Sequence, residues 1–256
     1  MREVPPNKRP WQIMQDSRLE DAGIADRLSR SALQRRTMVD CQIRTFDVTD
    51  QQLLARMLAV PREHFLPGEL AQLAYSDIAL QLKPAGPGGE RRTLLPPLVL
   101  ARLIQGAGVA STGTVLDVAA ATGYSSALLA GLAARVVALE SERSLYKALR
   151  SNLDAFGLAK VQTILAPLAE GAPMEAPFDL IFINGAVEAN LEALFAQLKD
   201  GGRLVAIKPL PGDPTGRAGK AVRYEKIDGG TGYRVLFDAS APVLEAFRQD
   251  AQFTFF

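Results

Sequence analysis

The feature that most constrains this chain is a series of short apolar runs that alternate with helical segments between residues 96 and 209. The runs GTVLDVAA, ARVVALE, VQTILAP, FDLIFINGA and RLVAIKP are almost continuously apolar, with Val, Ile and Leu dominant. Strands of this kind are buried on both faces, as in a parallel sheet that helices cover from two sides. The predicted fold class is therefore α/β, with a mostly parallel, doubly wound, Rossmann-like sheet.

The stretches on either side of this series predict a cap and a sheet edge. Residues 31–92 carry apolar positions at helical spacing and predict an N-terminal helical cap on the Rossmann-like core of residues 93–210. Residues 211–256 contain two strand-like runs, AVRYEKID and YRVLFDAS, which predict an antiparallel hairpin at the C-terminal edge. Residues 1–30 form an extension with two open interpretations: a loosely attached tail, or a docking arm anchored by Trp11.

Composition excludes several classes of function. The formal net charge of +1 gives no electrostatic reason to expect a nucleic acid or an anionic membrane as partner. A single cysteine and a single histidine exclude a disulfide framework and a Cys/His metal site. The chain shows neither an apolar run as long as a membrane span nor a secretory signal pattern. We therefore expect a cytoplasmic protein without metal, membrane span or nucleic-acid partner.

The candidate cofactor residues follow the first two strands of the series. Asp117 ends the first strand, and the small residues Ala119, Ala121 and Gly123 follow it before a helix begins. Small residues let the backbone approach a ligand closely, and the free N–H groups of a helix start can face an anionic group. Glu140 ends the second strand, where a carboxylate can accept hydrogen bonds from two ribose hydroxyls. The pattern predicts a nucleotide-type cofactor site at the carboxyl ends of the strands.

Other residues near these strand ends have open roles. Tyr124, at the helix start, is predicted to line the pocket, and Asn184, at the tip of the fourth strand, to face the substrate region. For Asp117, ordering the loop and touching the cofactor are equally open. Arg44 and Arg62 could meet a substrate carboxylate, but salt bridges on the cap are the favoured interpretation.

Several stretches, taken in order, resemble the protein-L-isoaspartate O-methyltransferases, a family of S-adenosylmethionine-dependent methyltransferases. The resemblance runs from about residue 38 to residue 209, and LFDASAPVLEAF is similar to the tail of a bacterial branch. The matching stretches are VPREHFLP, AYSD, TLLPP, VLDVAAATGYSSALLA, VVALE, FDLIFINGA and QLKDGGRLV. The resemblance implies a methyltransferase-type Rossmann sheet, S-adenosylmethionine as cofactor, and a protein substrate. The implied reaction is methyl transfer to the carboxylate of L-isoaspartate in aged proteins, a step of protein repair.

The chain departs from the family pattern at the cofactor. The family loop reads Gly-x-Gly-x-Gly, whereas Ala119 and Ala121 replace its first two glycines and only Gly123 remains. If either position needs a positive φ, alanine there costs about 1 kcal/mol or more. After the third strand the family commonly has an acidic residue that meets the adenine, and this chain has Ala166 and Pro167.

A further departure concerns the substrate side. The family has a serine beside the transferred methyl in a Thr-Ile-Ser-x-Pro turn, and the corresponding TLLPP turn has Leu95 at the serine position. Leucine offers no hydrogen bond, and its bulk could block a carboxylate. Thr93 is the candidate catalytic residue if the turn is shifted.

Two hypotheses of different classes stay open. The first is a methyltransferase that modifies a protein carboxylate or another acceptor, which Gly123 and Glu140 favour. The second is a catalytically degenerate pseudoenzyme that serves as an accessory subunit or assembly factor and docks onto a protein partner. Ala119, Ala121 and Leu95 favour this second hypothesis. Whether the chain is an enzyme is therefore not decided by its sequence.

Overall fold

A computed structural model describes residues 29–83, 92–212 and 218–249. All structural statements below concern these residues. Residues 1–28 lie outside them, so docking through residues 1–30 stays a prediction.

The nine strands form two sheets. A seven-stranded sheet has the order β5-β4-β3-β6-β7-β8-β9, and β1 and β2 pair separately. Strands β3 to β7 are parallel to one another, whereas β8 pairs antiparallel with both β7 and β9 at the edge. The strands are β1 (Leu80–Lys83), β2 (Arg92–Leu94), β3 (Thr114–Val118), β4 (Arg135–Glu140), β5 (Gln162–Leu165), β6 (Phe178–Ala186), β7 (Leu198–Pro209), β8 (Gly219–Ile227) and β9 (Gly230–Asp238). The prediction of a mostly parallel sheet with an antiparallel C-terminal edge is confirmed.

Capping residues mark the ends of two helices. Asp50 caps one helix, because its side chain accepts hydrogen bonds from the N–H groups of Gln52 and Leu53. Another has Pro97 in its first turn and ends at Gly108, whose φ is +63°. The helices are α1 (29–37), α2 (Gln51–Ala59), α3 (Pro97–Ala107), α4 (Tyr124–Leu129), α5 (Arg143–Ala155) and α6 (Glu192–Ala196). A π-helical segment, Met38–Ile43, continues α1.

The sheet is buried on both faces, as the apolar runs predict. Val115 and Phe182 point into one core layer, which the cap and α3 to α5 complete. Leu116 and Ile181, their neighbours in sequence, point into the opposite layer beside α6. All four side chains are at most 1% exposed. Since successive strand residues face opposite sides, each strand needs apolar residues at every position, not at alternate ones.

Two details of the sequence-based assignment are wrong. The cap is not wholly helical, since β1 and β2 form a two-stranded antiparallel sheet in which Leu80 pairs with Leu94. The helix expected over EANLEALFAQLKDGG shrinks to the short α6, because β7 already begins at Leu198. Gly201, with φ +74°, lies inside that strand, where a register irregularity accommodates the extra residues.

Candidate functional site

Asp117, at the end of β3, is completely buried and bonded to neutral donors. Its Oδ2 accepts hydrogen bonds from the hydroxyls of Ser125 at 2.8 Å and Ser126 at 2.5 Å, and its Oδ1 accepts one from Asn184 Nδ2 at 2.7 Å. Burial raises the pKa of Asp117 to about 6, although these three donors work against the rise. Because both serines belong to α4, Asp117 ties that helix to the sheet. These contacts match the loop-ordering role more closely than a direct cofactor contact.

The β3–α4 loop, residues 119–123, has a left-handed backbone at three positions. The φ angles are +56° at Ala119, +52° at Ala121 and +99° at Gly123. Ala119 and Ala121 stand where the family pattern has glycine. Both adopt a left-handed conformation that costs about 1–2 kcal/mol per residue for an L-amino acid. Their methyl groups are buried, with Ala119 1% and Ala121 3% exposed. At Gly123 a Cβ would lie 2.9 Å from Leu149 Cδ1, so this glycine also permits α5 to pack closely.

Glu140, at the end of β4, is bonded to the β3–α4 loop. Its Oε2 accepts a hydrogen bond from the Ala121 N–H at 2.9 Å. Its Oε1 accepts from the backbone N–H groups of Ser141 at 2.8 Å and Glu142 at 2.9 Å. The side chain is fully buried. The structure thus brings together the loop and the carboxylate that the sequence pattern assigned to one cofactor site.

Arg92, which the sequence reasoning missed, also reaches Glu140. Its Nη2 lies 3.1 Å from Glu140 Oε1, and its Nε lies 3.2 Å from Oε1 and 3.4 Å from Oε2. Nη2 also donates to the Ser141 hydroxyl at 2.8 Å. The Arg92 side chain is 1% exposed, so this is a buried ion pair. The available signal was its position directly before the TLLPP turn, which the family resemblance places beside the cofactor.

The residues that the sequence assigned to the substrate side meet at a small cleft. Thr93, Leu95 and Asn184 all line it. The C-terminal tail lines the remaining side with Ala241, Pro242 and Leu244. The tail is held by hydrogen bonds from the Ala186 N–H to the Pro242 carbonyl and from the Leu244 N–H to the Ala186 carbonyl. Leu95 is 2% exposed, so an apolar side chain stands where the family turn has a hydroxyl.

Arg62, in the cap, contacts both the TLLPP turn at Leu95 and the start of α4 at Tyr124. Its Nη2 donates to the Leu95 carbonyl at 2.7 Å, and its guanidinium carbon lies 4.9 Å from the centre of the Tyr124 ring. Burial lowers the pKa of Arg62 and raises that of Tyr124. The expected salt bridge of Arg62 is wrong: within the described ranges it is fully buried, and its Nε and Nη1 have no hydrogen-bond partner. Arg44, in contrast, pairs with Asp40 at 3.2 Å.

The described ranges hold no group of three or more His, Cys, Asp or Glu side chains placed to bind a metal ion. No helix in them combines the length and the hydropathy that a membrane crossing requires.

Solved structures define the class of the fold. A protein-L-isoaspartate O-methyltransferase superposes with a TM-score of 0.70 at 24% identity, over 82% of this chain and 65% of its own. A chain from Plasmodium falciparum, crystallised with S-adenosyl-L-homocysteine, superposes with a TM-score of 0.66 at 17% identity, over 83% and 98% of the two chains. At these identities the likeness shows the fold alone, which is the Rossmann-like methyltransferase fold.

Sequence comparison is more specific. The sequence model of the protein-L-isoaspartate(D-aspartate) O-methyltransferase family matches residues 34–234. The protein-L-isoaspartate O-methyltransferase of Koribacter versatilis is 36% identical over 178 residues, which span 70% of this chain and 78% of that protein. The protein of the same name from Methylorubrum populi is 38% identical over 181 residues, spanning 71% and 82%. The chain belongs to the protein-L-isoaspartate O-methyltransferase family, a family of S-adenosylmethionine-dependent methyltransferases.

Proposed function

We propose that this protein binds S-adenosylmethionine and transfers its methyl group to a carboxylate of a protein substrate, as in isoaspartyl methylation. The observation that carries the proposal is the backbone of the β3–α4 loop. Ala119 and Ala121 keep a left-handed conformation at φ +56° and +52°, although alanine favours neither. Strain that persists at defined positions points to a function for the local shape. Family membership supports the same conclusion.

The residues around the loop fit the cofactor by their donor and acceptor types. The left-handed turn brings its backbone to the carboxyl end of β3, and the Ala121 N–H fixes the Glu140 carboxylate beside it. Glu140 would accept a ribose hydroxyl, because its carboxylate has acceptor capacity beyond the three backbone N–H groups that it binds. Asp117 would act indirectly, since its acceptor atoms hold Ser125, Ser126 and Asn184.

The reaction needs positioning more than acid–base catalysis. A bound S-adenosylmethionine supplies a methyl group on a sulfonium, which a carboxylate oxygen can attack directly in line. At the cleft the Thr93 hydroxyl is available to orient that carboxylate, while Leu95 narrows the entrance and excludes water. The amide of Asn184 is already engaged by Asp117 and by the Val118 carbonyl, so it contributes to the shape of the cleft.

The test is calorimetric titration of the purified protein with S-adenosylhomocysteine, followed by transfer of a labelled methyl group to an isoaspartyl peptide. We expect saturable binding and peptide methylation that requires Thr93. A matched aspartyl peptide serves as the negative control. Binding without methylation of the isoaspartyl peptide would leave a methyltransferase with another acceptor.

A second function is favoured by one specific observation. Leu95 places a buried apolar side chain at the acceptor position of the family turn, which suits a protein that no longer methylates. In that case the protein serves as an accessory subunit or assembly factor. Absence of S-adenosylhomocysteine binding at millimolar concentration by a folded protein would exclude the enzyme and leave this alternative.

A further inference from the structure

The carboxylate of Glu140 is already used by the protein itself. A carboxylate has about four acceptor positions. Three are taken by backbone N–H groups, those of Ala121, Ser141 and Glu142, which the fold holds in place. The remaining capacity faces the guanidinium of Arg92, whose nitrogens lie between 3.1 and 3.4 Å from the two oxygens. No acceptor position is left for the two hydroxyls of a ribose.

Arg92 is placed there by the cap. It begins β2, which is paired with β1 in the small sheet outside the seven-stranded one. Glu140 ends β4, deep in the core sheet. The ion pair therefore joins two separate sheets, and its opening by movement of the Arg92 side chain also breaks the bond to the Ser141 hydroxyl. The backbone contacts of Glu140 are independent of that movement, since they come from the β3–α4 loop and the start of the next segment.

We infer that Arg92 is a built-in competitor of the cofactor's ribose, and that this residue sets the cofactor affinity of the site. This inference rests on the proposed function. A guanidinium carries the charge opposite to that of a carboxylate and presents several N–H donors to it at once, whereas a ribose hydroxyl is a neutral, single donor. Any ligand that presents a ribose diol to Glu140 must first displace Arg92. If Arg92 holds Glu140 in at least about nine tenths of the molecules, the apparent affinity falls at least about tenfold.

The experiment compares S-adenosylhomocysteine binding by the wild type and Arg92→Gln in calorimetry. Glutamine keeps a polar side chain but removes the charge that competes for Glu140. We expect the variant to bind at least about tenfold more tightly. Arg92→Lys, which still presents a cation to Glu140, should stay close to the wild type. The matched control is Arg135→Gln, because Arg135 lies at the opposite end of β4 and pairs with Glu175. It should leave the affinity unchanged.

The outcomes separate this inference from the proposed function. Equal or weaker binding by a folded Arg92→Gln, with measurable binding by the wild type, would overturn the role of Arg92 and leave the cofactor site intact. Absence of binding by both folded proteins would remove the cofactor site and this inference with it.

A second measurement uses the wild type, in case the glutamine variant does not fold. Phenylglyoxal modification of Arg92, followed by peptide mass spectrometry, should be slow in the free protein because the side chain is 1% exposed. Saturating S-adenosylhomocysteine should accelerate it by releasing the side chain. Unchanged or slower modification of Arg92 in the bound protein contradicts the inference.

Discussion

The buried carboxyl of Asp117 makes this protein less stable as the pH rises, and Asp117→Asn should remove that dependence. Three neutral groups donate to the carboxyl, no cation among the described residues pairs with it, and Glu140 adds a like charge. An asparagine fits the same contacts: its Oδ1 accepts from Asn184, and its amide can donate to the oxygens of both serine hydroxyls. The substitution therefore keeps the network and removes only the charge.

The magnitude follows from the pKa in the two states. Burial raises the pKa of Asp117 from 3.8 to about 6 in the folded protein. A group with a raised folded pKa stabilises the fold while it is protonated, and this contribution is lost as the pH rises through the folded value. A pKa difference of that size corresponds to about 3 kcal/mol in total. Roughly two thirds of this loss falls between about pH 4.5 and about pH 7.5.

The assay is urea unfolding of the wild type and Asp117→Asn at about pH 4.5 and about pH 7.5. The advantage of the variant should grow by about 2 kcal/mol towards the higher pH. Asp179→Asn is the control with the opposite sign. Burial of Asp179 opposes ionisation, but the hydrogen bonds from Lys199 and the Thr114 N–H outweigh it and lower its pKa. If the difference between wild type and Asp117→Asn is the same at both pH values, the assigned cost of ionising Asp117 is refuted.

Three further predictions concern the loop and the turn. The double substitution Ala119→Gly and Ala121→Gly should change the free energy of unfolding by less than about 1 kcal/mol. Each glycine relieves about 1–2 kcal/mol of backbone strain. This gain is offset at each position by the loss of a buried methyl group, about 0.8 kcal/mol, and by the greater entropy of glycine in the unfolded state. The same variant should bind S-adenosylhomocysteine more tightly in calorimetry, and equal affinity would show that the methyl groups do not occupy ligand space. Gly123→Ala should lower the free energy of unfolding by at least about 1–2 kcal/mol in urea titration, because φ is +99° and the added Cβ would lie 2.9 Å from Leu149 Cδ1, so that no gain in methyl burial offsets the strain. A loss below about 0.5 kcal/mol contradicts the strain argument. Leu95→Ser should increase methyl transfer to an isoaspartyl peptide without changing cofactor affinity, and unchanged transfer would show that Leu95 does not limit the reaction.

Much of the fold was predictable because burial leaves a direct trace in the sequence. The run FDLIFINGA corresponds to β6, Phe178–Ala186, residue for residue. Successive positions of such a strand face two apolar layers in turn, so the run is apolar on both faces except at Asp179 and Asn184, near its two ends. The start of β7 was wrongly predicted as a helix because burial leaves no such trace in its sequence. The segment LKDGG before Arg203 is polar and glycine-rich, and of its five residues only Leu198 pairs with β6 before the register resumes at Arg203.

The candidate site was predictable as far as it depends on strand ends. Parallel strands end at one edge, which placed Asp117 and Glu140 at the same edge of the sheet, and the family's glycine pattern marked Ala119 and Ala121 as the positions where a positive φ would matter. The partner of Glu140 was not predictable. Arg92 reaches it from a separate sheet, and no local pattern states which side chain crosses from the cap into the core. The burial of Arg62 was not predicted either, because charged residues are normally expected at the surface.

The C-terminal tail gives the two halves of the cleft separate origins in the chain. The wall at Ala241, Pro242 and Leu244 is anchored on β6 by backbone hydrogen bonds, while the Leu244 side chain belongs to the core layer that also holds Ala119. Because backbone bonds do not depend on side-chain identity, the side chain of Ala241 can vary while the nucleotide-facing half keeps its shape. In such an architecture the acceptor-facing wall can be altered by substitution without rebuilding the loop that faces the methyl donor.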